Sequence, residues 1–277
     1  MRWLVGLFLG GLAVAFGSTE PALGQSGYDR LGSARAAGLG YASAALTSAM
    51  GVHANPAGSA LRERRGVSFF ARQSFGLSAL RYGSAAGVWP ARWGAVSGGA
   101  STFGGGGYRE VHYSLGYARA LQPGTTRSVY VGLLGRYYHT RIDGYGGAGA
   151  MGVHLGVLLP LLPTLYLGAH ATNVNAPALA DGEPLPQTLA VGLQYRVRPS
   201  VRVVGDVFKD LSFPASVRGG LEVRPLSTLA LRAGITSAPV RFTGGVGLRL
   251  GRLHAHVAAE QHNTLGWSPS AALEVHW

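Results

Sequence analysis

Four histidines crowd the last quarter of the chain: His254, His256, His262 and His276. His254 and His256 are two apart, so a β-strand would present both on one face. Paired imidazoles invite zinc, but a zinc site needs three or four converging ligands held by a supporting shell, and no spacing here specifies one. No metal ligand and no cofactor is therefore assigned. The serines and histidines form no recognisable nucleophile, base and orienting group, so the chain is read as non-enzymatic. Gly104-Gly105-Gly106-Gly107 lacks the Lys and helix of a phosphate loop and suits a hairpin tip. What remains is ionic chemistry. Glu222 and Glu260 lie in a region rich in arginine, and with Arg196, Arg218, Arg224, Arg232, Arg241 and Arg249 they are expected to form a ladder of charge-assisted hydrogen bonds.

The net charge of +12 is carried almost wholly by arginine, with Lys209 the only lysine. These arginines recur singly on the polar side of alternating segments or near their ends. They make no run or helical stripe, which excludes the nucleic-acid reading. Placed so, they can pair with interior carboxylates or with lipid phosphates. Charged residues are only 13% of the chain while Gly numbers 44, an unusual balance for a water-exposed surface. There is no cysteine, hence no disulfide framework.

The elements that must position these groups are strands. Leu189, Val191, Leu193, Tyr195 and Val197 face one way while Gln194, Arg196 and Arg198 face the other. Val240, Phe242, Val246, Leu248 and Leu250 likewise oppose Arg241, Thr243 and Arg249. A period of two with one wholly apolar face suits strands between two different solvents. Fourteen such segments are expected between residues 66 and 277, among them 66–75, 77–89, 92–103 and 147–159. Alternate connections are tight, as at Arg198-Pro199-Ser200, and the others include longer ones such as Asn173 to Pro186. Short turns on the periplasmic side and longer loops outside belong to an outer-membrane barrel. Trp89, Trp93, Tyr108, Tyr166, Trp267 and Trp277 near strand ends are expected to form interfacial girdles. The fold class is all-β: a transmembrane antiparallel β-barrel of the bacterial outer membrane.

Three regions follow. Residues 1–24 read as a cleaved signal peptide: Arg2, an apolar run from Trp3 to Phe16, and Ala22-Leu23-Gly24 before the cut. Residues 25–65 are rich in Gly and Ala without strand alternation. Residues 66–277 are the barrel. Leu273, Val275 and Trp277 end the chain on an aromatic after an alternating strand, which resembles the C-terminal signal read by the barrel assembly machinery. Other expected partners are outer-membrane lipids, lipopolysaccharide included.

The segment before the barrel narrows the reading. Gly32-Ser33-Ala34-Arg35-Ala36-Ala37-Gly38-Leu39-Gly40-Tyr41-Ala42, followed by Asn55-Pro56-Ala57-Gly58, resembles the start of outer-membrane proteins of the PorV/PorQ family. These belong to a broader group similar to the FadL long-chain fatty-acid transporter. The resemblance implies fourteen strands and an N-terminal hatch in the lumen, with Arg35, Gly38, Gly40, Asn55 and Pro56 as the matching positions. It also implies work beside type IX secretion, as a shuttle or attachment factor, and Ala176 to Pro186 is the surface expected to meet a secretion-system protein. The family's usual acidic residues between the two motifs are missing from Ala44 to Ala54. The alternative is a FadL-like channel for hydrophobic small molecules. In that group a kink in the third strand opens a lateral path, for which Gly98-Gly99 is the candidate, with Leu134 and Leu158 lining an apolar lumen pocket.

Overall fold

A computed structural model describes residues 32–47, 54–122, 128–179 and 182–277. The expected signal peptide lies outside the described residues. Fourteen antiparallel strands run in chain order around one closed barrel. They are β1 (Gly66–Gln73), β2 (Arg81–Ala91), β3 (Gly94–Gly105), β4 (Tyr108–Leu121), β5 (Val129–Ile142), β6 (Gly146–Leu162) and β7 (Leu165–Thr172). The circuit continues with β8 (Thr188–Arg198), β9 (Val201–Asp210), β10 (Ser216–Val223), β11 (Leu229–Ser237), β12 (Val240–Leu250), β13 (Leu253–His262) and β14 (Gly266–His276). Closure comes from β1 pairing with β14, Gly66 opposite His276 through Arg72 opposite Ser270. The barrel thereby has no free edge and every strand has two neighbours.

The alternation sorts the side chains. Leu115, Leu133, Met151, Leu193, Val217, Phe242 and Val257 stand exposed on the outside, while Gln194, Asp206, Glu222 and Glu260 are buried on the inner face. On β4 the outward arginines Arg109 and Arg119 are ten residues apart, with Val111, Tyr113, Leu115 and Tyr117 between them. At about 3.4 Å per residue and a tilt near 40°, ten residues climb about 26 Å, the height of the apolar band of an outer-membrane barrel. Trp89, Trp93, Trp267 and Trp277 are exposed near the ends of the wall. Tyr108 and Tyr166 are not girdle residues. Tyr166 pairs with Gln194 and shares its inward face, and the Tyr108 hydroxyl donates to the inward Glu110 at 2.5 Å.

Two boundaries differ from the alternation. Residues 77–80, expected on the second strand, instead belong to tight turns at Ser74–Gly76 and Ser78–Leu80. The Phe75 amide donates to the inward Ser268 hydroxyl at 3.0 Å and the Phe75 ring meets His262 edge-on, so this connection folds over the mouth. β6 continues through Pro160 where a turn was expected, with its register against β7 shifting between Pro160 and Leu162. A proline lacking an N–H is accommodated where a ladder slips.

Candidate functional site in the barrel lumen

Inside the wall lies the inner segment, whose two local elements are each set by a capping side chain. Helix α1 (Ala34–Ala37) starts where the Ser33 hydroxyl accepts from the Ala36 amide. A 3-10 turn (Pro56–Leu61) starts where Asn55 Oδ1 accepts from the Ala57 amide at 3.0 Å, with Pro56 supplying the fixed φ of a first helical position. Neither element pairs with the sheet. The segment is tied to the wall by side chains.

Three carboxylates make the largest ties. Glu222 on β10 receives Arg35 in a two-pronged pair, Nε to Oε2 at 2.8 Å and NH2 to Oε1 at 2.7 Å. The same carboxylate accepts from Arg232 at 2.9 Å and Arg224 at 3.0 Å, with Arg202 at 3.5 Å. Glu260 on β13 accepts from the Tyr41 hydroxyl and meets Arg72 at 3.3 Å and Arg241 at 3.5 Å, while Arg72 also donates to the Tyr41 oxygen at 2.6 Å. Burial holds the Tyr41 hydroxyl above its usual pKa, so it stays a donor. Asp206 on β9 accepts the backbone amides of Ser43 and Ala44 at 2.8 and 2.9 Å.

Amides and close contacts complete the seat. Asn55 Nδ2 lies 2.8–3.1 Å from the carbonyls of Ala44, Val157 and Ala169, so one side chain joins both parts of the inner segment to β6 and β7. Gln194 Nε2 donates to the Thr47 hydroxyl at 3.1 Å. Where α1 ends, backbone rests on backbone. Gly40 has φ +64° and its amide donates to Thr243 at 3.0 Å, and a Cβ on the facing Gly234 would stand 2.2 Å from the Gly40 nitrogen. Only glycine fits either side of that contact.

The expected ladder is thus two clusters, and each reaches beyond the wall to the inner segment. Arg224 and Arg232 join Glu222, and Arg241 joins Glu260. The Arg218 guanidinium lies 3.6 Å over the Phe208 ring. Arg196 and Arg249 share the inward face but are exposed at the terminal end, outside both clusters. Gly38 and Arg35 lie buried among the inner-face residues of β10–β12, and Pro56 packs onto β5 and β6. Leu273 and Val275 lie near the end of β14, and the amide of Trp277, just beyond it, donates to the Arg65 carbonyl.

Two of the expected channel features are not formed. β3 pairs residue for residue with β2 and β4 through Gly98 and Gly99, so the ladder has no gap there. Leu134 and Leu158 are fully buried and line no open pocket. Leu158 packs with Ala45 and Ala57 of the inner segment, and Leu134 packs with Ala86. The sequence reading missed Asp206, Arg72, Arg202, Tyr41 and Gln194. Asp206 carried a signal, since it is an acid on the inward parity of a valine-rich strand.

Further along the lumen, on β4 and β5, lies a second polar group. His112, Ser114, Arg136 and Tyr138 on β4 and β5 are half-buried. Tyr138 meets His112 edge-on at 4.7 Å, and its hydroxyl donates to Asn173 Oδ1 at 3.0 Å. Arg136 donates to Ser114 at 2.9 Å, and Glu110 lies 3.5 Å from His112. At the opposite end of the lumen the ligand atoms of His254, His256 and Glu274 fall within 4.8 Å of one another, with His276 Nε2 3.3 Å from Glu274. The Nδ1 atoms of His256 and His276 each face an arginine, Arg232 and Arg62, at 3.3 Å. Guanidinium donors make those nitrogens acceptors and turn the ring N–H toward Glu274. A metal-ligating histidine needs the reverse, with its second nitrogen donating to an acceptor. The cluster reads as a relay that holds a buried carboxylate.

No protein-family model matches the chain, and no curated protein matches it. Solved structures do. The CymD monoaromatic hydrocarbon channel superposes with a TM-score of 0.62 at 13% identity, over 87% of this chain and 95% of that one. The toluene transporter TodX of Pseudomonas putida gives 0.58 at 10% identity, over 87% and 95%. The toluene transporter TbuX of Ralstonia pickettii gives 0.57 at 13% identity, over 82% and 93%. The chain is an outer-membrane β-barrel. At these identities the likeness establishes the shared fold.

Proposed function

We propose that this protein is a FadL-like channel that admits small hydrophobic molecules through the outer membrane, with the inner segment as its hatch. The observation that carries this reading is the way the inner segment is held. Its described residues pair with no strand, and they are tied by hydrogen bonds and ion pairs that involve Glu222, Glu260, Asp206, Asn55 and Gln194. Such ties can be exchanged for water one by one, whereas a paired strand would have to be peeled away whole. The likeness to barrels described as hydrocarbon channels supports the reading at the level of fold. Association with type IX secretion rests only on the motifs at 32–42 and 55–58, so the channel reading is preferred.

The polar upper lumen refines the passenger. His112, Arg136 and Tyr138 suit a small molecule that pairs an apolar body with a polar edge. The test is uptake of a labelled monoaromatic hydrocarbon by cells with a low-permeability outer membrane, with and without this protein. Uptake that saturates and rises with expression supports the channel. Equal uptake in both strains, with the barrel shown to be folded, overturns it.

A further inference from the structure

The wall carries a second feature, on its outer side. A groove of about 1040 Å³ runs across β12, β13, β14 and β1 to β3 at the end of the barrel away from the chain termini. Its upper floor is Ala71, Gly83, Thr102, Gly244, Ala259 and Ala271, all of outward parity, and Val246 and Val257 close its lower end. Elsewhere the outer face at comparable places bears Leu115, Met151 or Leu193. The hollow is therefore a shortage of side-chain volume on a surface that otherwise matches lipid.

Charge marks one end of this groove. Arg81 and Arg109 line its rim, and Arg141 stands directly opposite Arg109 in the β4–β5 ladder, all three exposed. Like charges directly across a ladder repel, and this pair gains nothing from the fold. Among the described residues Arg141 pairs with Asp143 alone, at 3.9 Å and largely exposed, while Arg81 and Arg109 have no ion pair. The row lies at the upper edge of the apolar band, at headgroup height in the outer leaflet, given that the end with the tight turns faces the periplasm. Three guanidiniums above an apolar trough complement a molecule with phosphates at one end and acyl chains below.

We propose that this face is a binding site for the lipid A portion of lipopolysaccharide, its phosphates bridging Arg81, Arg109 and Arg141 and an acyl chain lying over Ala71, Gly83 and Ala271. An anion between Arg109 and Arg141 turns their repulsion into a shared, fork-like contact. The chain fills a trough that fluid lipid would otherwise fill less well. The site is independent of what passes through the lumen.

The experiment measures binding of bisphosphorylated lipid A to the purified barrel in detergent by native mass spectrometry. Dephosphorylated lipid A, phosphatidylglycerol and inorganic phosphate serve as competitors. Two variants accompany the native protein: Arg109→Glu with Arg141→Glu, and the groove-filling Gly83→Leu with Ala271→Leu. A Cβ at position 83 meets nothing closer than 3.9 Å, and the mobility of the folded barrel on gels checks that the second pair leaves the wall intact. Expected are a loss of about thirtyfold on charge reversal, a similar loss for dephosphorylated lipid A on the native protein, and weaker binding to the filled groove. Equal binding of phosphorylated and dephosphorylated lipid A overturns the proposal, and that arm needs no variant to fold. Competition by inorganic phosphate as strong as by lipid A reduces the site to a bare anion contact. Equal competition by phosphatidylglycerol removes its selectivity. Either result overturns it too.

Discussion

The lower and upper parts of the lumen are built from similar residues and do different things with them. Below, each carboxylate meets several partners: Glu222 has Arg35, Arg202, Arg224 and Arg232, and Asp206 has the amides of Ser43 and Ala44. Above, His112, Ser114, Arg136 and Tyr138 are half-buried and keep polar surface facing the lumen. The difference is the inner segment. Where it lies, polar groups are dehydrated and must find protein partners, so their arrangement is rigid. Along β4 and β5 the paired side chains stay partly exposed, so water or a passenger can share their polar surface.

The largest expected effect breaks the lower part. Glu222→Ala leaves four guanidiniums crowded about a vanished carboxylate and should cost about 3–5 kcal/mol. The measurement is the temperature at which the folded barrel loses its compact mobility on gels, together with protease cleavage within 32–61. If melting and cleavage both stay at native values, Glu222 does not hold the inner segment.

Next come changes that act by shape. Gly234→Ala puts a Cβ 2.2 Å from the Gly40 nitrogen and should destabilise by about 1–3 kcal/mol while raising small-solute leak in liposome swelling. Gly83→Ala, whose Cβ meets nothing closer than 3.9 Å, should change stability by less than about 0.5 kcal/mol. Equal effects at the two sites would mean that the contact with the inner segment is not tight.

Asp206→Ala leaves the Ser43 and Ala44 amides without their acceptor, at about 1–3 kcal/mol, with increased amide exchange at both positions as the specific reading. The smallest effect sharpens the comparison from above. Tyr138→Phe removes the bond to Asn173 and should lower stability by about 1 kcal/mol or less, yet alter uptake of a polar-edged passenger more than that of a plain hydrocarbon. Identical shifts in both uptakes would separate Tyr138 from selection.

Much of the wall was legible without coordinates. Strands such as β8, β12 and β13 alternate so cleanly because one side meets lipid and the other a polar interior, and that requirement is written residue by residue. The errors fell where a local pattern answers to something distant. Residues 77–80 alternate like a strand but are drawn over the mouth by Phe75 bonding to Ser268, 193 positions away. Leu134 and Leu158 have the inward parity of a pocket, but Leu158 is covered by the 3-10 turn that follows Asn55 and Leu134 packs with Ala86 of β2, three strands away around the wall.

The sequence by itself determined the solvent on each side of every strand, the number of strands, and the compartment. Period-two burial is a local property, and fourteen repeats of it leave one architecture. Only the tertiary structure decided what the charges are for. Arg35 and Glu222 are 187 residues apart, and neither carries a mark of the other. Their pairing follows from where a closed barrel places β10 relative to the segment inside it, a distance no spacing along the chain encodes. The same closure sets Arg109 against Arg141 on the outer face, through a β4–β5 register that alternation alone leaves open.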